Sequence, residues 1–60
     1  MSYRNFFVAR EIAQHTGWNA GQILDACPSE DRLRAALKCV MKGTAVGLEE
    51  ASAIITMRSE

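Results

Sequence analysis

Gly17, Pro28, Gly43 and Gly47 punctuate this chain at short intervals, and between them apolar residues recur every three or four positions. Helical periodicity interrupted so often leaves room only for short amphipathic helices, none able to bury its apolar face alone. The first is expected over residues 5–14, with Phe6, Ala9 and Ala13 on one ridge, Val8 and Ile12 beside it, and Gly17 as a left-handed stop. The second is expected over 20–27, where Ala20, Ile23, Leu24 and Cys27 form an i, i+3, i+4, i+7 stripe. Asn19 can cap it, Gln22 can reach back as in a capping box, and Trp18 and Ile23 have hydrophobic-staple spacing.

Pro28 ends that helix and Ser29 caps a third, over 30–41, in which Leu33, Ala36, Leu37, Val40 and Met41 repeat on one face. Glu30 and Asp31 in its first turn and Lys42 at its end complement the helix dipole. The stretch from Gly43 to Gly47 reads as the loosest in the chain, a hinge, with Gly47 capping a fourth helix over 48–57. Leu48, Ala51, Ile54 and Ile55 form its apolar face, Ala53 and Met57 widen it, and Arg58 falls in its last turn. No strand is needed. The expected fold is all-α, a compact bundle of four short helices in a single domain covering residues 1–60, because 60 residues hold one core.

Composition excludes several function classes. Seven basic residues balance seven acidic ones, which rules out a polybasic nucleic-acid or membrane binder. No apolar run nears the roughly 18 residues of a membrane span, and the N-terminus shows no export signal, so a cytoplasmic protein without membrane partners is expected. Cys27 and Cys39 form no Cys-x-x-Cys pair, and His15 is the one histidine, so no metal site is expected. In a reducing compartment both cysteines should pack as small hydrophobes. His15, near the end of the first helix, suits the dipole there. The glycines match no phosphate-binding loop, and nothing around the cysteines or His15 resembles a nucleophile with its base and oxyanion hole. No catalytic residue, enzyme activity or cofactor is expected.

One segment carries more. Residues 9–27 place Ala13, Gly17, Trp18, Ile23 and Ala26 at the spacing of a two-helix corner. Alanine allows close helix approach, glycine permits a positive φ, and the apolar trio locks the crossing. This segment resembles the helix-turn-helix of bacterial and phage DNA-binding regulators. The resemblance implies a second helix that reads bases with Asn19 and Gln22, both good adenine readers. Phosphate contacts would come from Arg10 on the first helix and from Arg34, Lys38 and Lys42, which recur every four residues on the third. Such a regulator of transcription would bind duplex DNA as a dimer. Gly21, Leu24 and Asp25 depart from the pattern, since a recognition helix usually presents polar or basic groups there. The Thr16-Gly17-Trp18 turn also resembles that of ubiquitin-associated-type bundles, which bind partner proteins.

The alternative is therefore a helical protein-interaction module, an adaptor or inhibitor without DNA binding, and it fits the neutral charge. Tyr3, Phe6, Phe7 and Trp18 would stack on single-stranded nucleic acid only with interleaved cations; core packing is the expectation, with Trp18 as its largest member. Adjacent on a helix, Phe6 and Phe7 cannot point the same way, so one should be exposed. Ile54 and Ile55, with Val46, Met57 and an exposed phenylalanine, supply more apolar surface than one narrow core needs, and a homodimer through the fourth helix is expected.

Overall fold

Every helix after the first begins at a side chain that caps it. In the computed structural model, which describes residues 3–57, the order is α1 (Tyr3–Thr16), α2 (Ala20–Ala26), α3 (Glu30–Met41) and α4 (Ala45–Thr56). Asn19 Oδ1 accepts from the Gln22 N–H at 3.0 Å, Ser29 Oγ from Arg32 N–H at 3.5 Å, and Thr44 Oγ1 from Gly47 N–H at 3.0 Å. Each extended cap residue satisfies one of the donors a helix start leaves orphaned. The all-α bundle of four short helices is present, with no strand among the described residues.

Helix α3 is the centre of the bundle. It packs most extensively on α4 and then on α1; α1 also packs on α2, and α2 touches α4 only lightly. Ile12, Leu33 and Cys27 are the largest fully buried side chains, and Ala9, Ala36 and Ala51 are fully buried between them. Alanine at these three positions lets the helices close on the larger side chains, each of which contributes about 1.5–3 kcal/mol on burial. No polar or charged residue is buried among the described residues. The radius of gyration, 10.1 Å, matches the roughly 10 Å expected for a compact chain of this length.

Four features depart from the expectations above. Helix α1 starts at Tyr3 and runs to Thr16, longer at both ends than residues 5–14. Its end is closed by Gly17, whose φ of +81° lets its N–H donate to the Ala13 carbonyl at 2.7 Å. Thr16 Oγ1 helps by donating to the Ile12 carbonyl and accepting from the Trp18 N–H.

The second departure is the segment read as a hinge. Only Lys42, Gly43 and Thr44 separate α3 from α4. Gly43, at φ +69°, turns the chain, and its N–H donates to Val40 O. Thr44 is the cap, and Gly47 lies inside α4 and is buried. A Cβ built on Gly47 would stand 2.3 Å from the Cys39 carbonyl oxygen. Gly47 is thus the contact point of the two most closely packed helices, and the joint is tight because Thr44 offers a cap three residues ahead of it.

Third, Trp18 is not the heart of the core. Its side chain is 36% exposed, because the corner at Gly17 sets it on the outer lip of α2 while Ile23 takes the interior place. Of the expected capping box, Asn19 makes its half; no reciprocal bond from the Gln22 side chain is seen among the described residues. Fourth, Met41, Leu48, Ala53 and Met57 lie outside the core. α4 buries the narrower stripe of Gly47, Ala51 and Ile55, with Ile54 packed at its edge. Arg58, assigned to the last turn of that helix, lies outside the described residues.

Two polar side chains that sequence patterning did not single out fasten the bundle. Arg32 sends Nη2 to the carbonyls of Ile54, at 2.6 Å, and of Met57, closing the C-terminal end of α4 with a positive charge. Asn5 Nδ2 donates to the Pro28 carbonyl at 2.9 Å, tying α1 to the α2–α3 connection.

Candidate interaction surface

The α1–α2 corner sets where Asn19 and Gln22 emerge. Both line a groove of about 270 Å³ between α2 and the C-terminal half of α4. Trp18, Ile23, Ala26 and Ile55 supply its apolar lining, and Asn19, Gln22, Ser52 and Thr56 its polar lining. No lining residue carries a charge. Oδ1 of Asn19 is already engaged by the α2 cap, which leaves its amide nitrogen and the Gln22 amide to meet a ligand.

The cations expected to join them are placed differently. Helix α4 meets α3 on the flank carrying Arg32 and Cys39, as the Arg32 bonds, the Gly47 approach and the Cys39 Sγ contact to Glu50 Oε2 at 3.5 Å all show. Arg34 and Lys38 lie roughly 100–160° around α3 from that flank, while the groove is built on α4. Arg34 Nε is paired with Glu30 at 3.1 Å, and Lys42 Nζ approaches Glu50 of α4 at 3.8 Å. Lys38 and Arg10 are exposed and in no ion pair among the described residues. The basic stripe on α3 therefore consists of one charge held by its own helix turn, one held by α4, and Lys38 between them.

Helix α1 holds a second surface. Its buried stripe is Val8, Ala9 and Ile12. On the other side Tyr3 is 82% exposed, Phe7 58% and Phe6 41%, the two phenylalanine rings meeting edge to face with centroids 6.3 Å apart. Both phenylalanines, rather than one, face solvent. Phe6, expected on the inner ridge with Ala9 and Ala13, is displaced from it because the buried stripe runs through Val8, Ala9 and Ile12.

Cys27 is buried and Cys39 half-buried, and both are free. No group of three or more His, Cys, Asp or Glu residues able to hold a metal occurs among the described residues. His15 Nε2 stands 4.0 Å from Glu11 on the same exposed helix face. No helix among the described residues is long and apolar enough to cross a membrane. No protein-family model matches the chain, and neither a curated protein nor a solved structure does.

Proposed function

We propose that this protein is a small helical interaction module that receives an apolar side chain from a helix of a partner protein in the α2–α4 groove. One observation carries this reading: Asn19 and Gln22 open onto an uncharged groove with apolar walls, while Arg34 and Lys38 are on a different flank of the bundle. Helix-in-groove recognition needs that combination of apolar wall and a few orienting amides. A neutral partner face suits it, because no lining residue would compensate a buried charge.

Trp18 is the only tryptophan in the chain and sits on the groove's edge, so it reports occupancy. The test begins with a pull-down from nuclease-treated lysate, after which the purified partner is titrated against the protein while Trp18 emission is followed. Occupancy shifts the emission to shorter wavelength, and Ala26→Arg, an exposed groove position, abolishes both the shift and the capture. A partner that binds Ala26→Arg as well as it binds the unaltered chain refutes the reading, and so does the capture of nothing.

A second reading, a helix-turn-helix regulator that binds duplex DNA as a dimer, draws on the α1–α2 corner. Gly17 has the positive φ and Asn19 the capping role that such a corner requires. Asn19 and Gln22 would then meet base edges, with Arg10, Arg34, Lys38 and Lys42 on phosphates. This reading predicts retardation of duplex DNA in low-salt gels that disappears with Arg34→Ala and Lys38→Ala together; absence of any retardation refutes it. The dimer expected through α4 would have to form without Ile55, which is buried in the monomer, and with Ile54 already packed on the core.

A further inference from the structure

We propose that two copies of this protein associate through the outer face of α1, the helices running antiparallel. The inference does not rest on the α2–α4 groove. Tyr3, Phe7, Arg10 and Gln14 are all exposed and follow one another at i, i+4, i+7 and i+11, the spacing of a two-heptad seam. On the opposite side of the same helix Val8, Ala9 and Ile12 are buried in the bundle, so the seam stands free. Its composition is that of an interface core: aromatic residues and arginine, with no lysine.

The sequence of α1 selects a second copy as the occupant. In an antiparallel pair the seam positions interleave so that Phe7 meets Arg10 of the partner subunit, and Tyr3 meets Gln14 of the partner subunit. Two-fold symmetry repeats each contact. Arg10, which has no ion pair among the described residues, gains an aromatic face in each direction. Arg4 and Glu11 are exposed and seven positions apart on one flank of the seam. In an antiparallel pair that flank faces its own copy, so Arg4 lies toward Glu11 of the partner subunit, twice. A parallel pair would instead set this flank against Phe6 and Ala13 of the partner subunit, leaving Arg4 and Glu11 without opposite charges. The other flank holds Phe6 and Ala13, which pack without charge. A helix of 14 residues offers a small contact, so a weak dimer with Kd on the order of 100 µM is expected.

Sedimentation equilibrium of the full chain from about 10 µM to about 1 mM reads the association directly. A monomer–dimer equilibrium is expected, with Phe7→Ala abolishing it in that range and Arg4→Glu or Glu11→Arg each weakening it about tenfold by opposing like charges. The double charge exchange, Arg4→Glu with Glu11→Arg, restores it. All three positions face solvent, and unchanged helical circular dichroism confirms that each variant is folded. A chain that is monomeric up to about 1 mM overturns the proposal. So does a dimer that survives Phe7→Ala, or one that the double exchange fails to restore. If the chain is monomeric but Phe7→Ala weakens capture of a different protein, the face belongs to that protein and self-association is refuted.

Discussion

Replacing Gly47 by alanine sets helix propensity against packing. Gly47 lies three residues into α4, a position where alanine is favoured over glycine by about 1 kcal/mol. Propensity alone therefore forecasts a more stable protein. The structure forecasts the reverse. The added Cβ would stand 2.3 Å from the Cys39 backbone oxygen and 3.1 Å from Thr44 Oγ1. Relief to a tolerable separation requires α3 and α4 to part by roughly 0.7 Å or more at their closest point, and a carbonyl inside a helix cannot rotate away as a side chain can. The same shift loosens the Thr44 cap and pulls α4 against the Arg32 clamp at its other end. Overpacking of this kind costs about 1–3 kcal/mol, which offsets or exceeds the gain of about 1 kcal/mol in propensity; a net loss of up to about 2 kcal/mol is expected. For a domain of this size that lowers the midpoint of thermal unfolding by up to about 15 °C. Melting followed by circular dichroism at several protein concentrations separates this from any contribution of association. A Gly47→Ala protein that melts at or above the temperature of the original would show that α3 and α4 do not meet at this residue.

Two further substitutions probe the polar fastening and the indole. Arg32→Met removes the charge that closes α4, and the freed carbonyls of Ile54 and Met57 should cost about 1.5–3 kcal/mol, with amide exchange accelerating in the last turn of α4 more than in α1. Uniform acceleration across the chain would mean that Arg32 acts on global packing instead. Trp18→Ala should cost about 2–3 kcal/mol, below the roughly 3–5 kcal/mol of a tryptophan in a closed core, because about a third of the residue already faces water. A loss in the upper range by chemical denaturation would place Trp18 in the interior after all.

The contrast between Gly43 and Gly47 shows which parts of the fold were readable from residues alone. Gly43 acts through its own backbone: a positive φ after the last turn of α3 is a local event, and local glycine logic finds it. Gly47 acts through a neighbour eight residues back in the chain, and nothing in the run Gly-Thr-Ala-Val-Gly distinguishes a loose joint from a helix held against another. The capping residues were equally local. Asn19 and Ser29 could be read because each is followed by a helical stripe, whereas Thr44 was hidden by the glycine taken as the helix start. Three helix spans came close for the same reason, and α4 was placed three residues late.

The surface was less legible than the core, and the cations show why. A repeat of Arg34, Lys38 and Lys42 every four residues guarantees that they share a strip of α3, but says nothing about what stands beside that strip. Glu30 lies on the same helix and was available to reading; Glu50 reaches Lys42 only because α4 folds back along α3. Phase on a helix fixes direction relative to that helix, and function depends on direction relative to the others. Asn19 caps α2 and Gln22 lies in its first turn, and both line the groove. Which helix shares the groove with them depends on the angle set at Gly17, and the groove is completed by Ser52, Ile55 and Thr56 of α4. On α1 the reasoning runs the other way. Val8, Ala9 and Ile12 fix the inner side, so Tyr3, Phe7 and Arg10 must face outward whatever the rest of the bundle does. That independence is why the Arg4 and Glu11 exchange tests the proposed antiparallel pairing of α1 without reference to the other three helices.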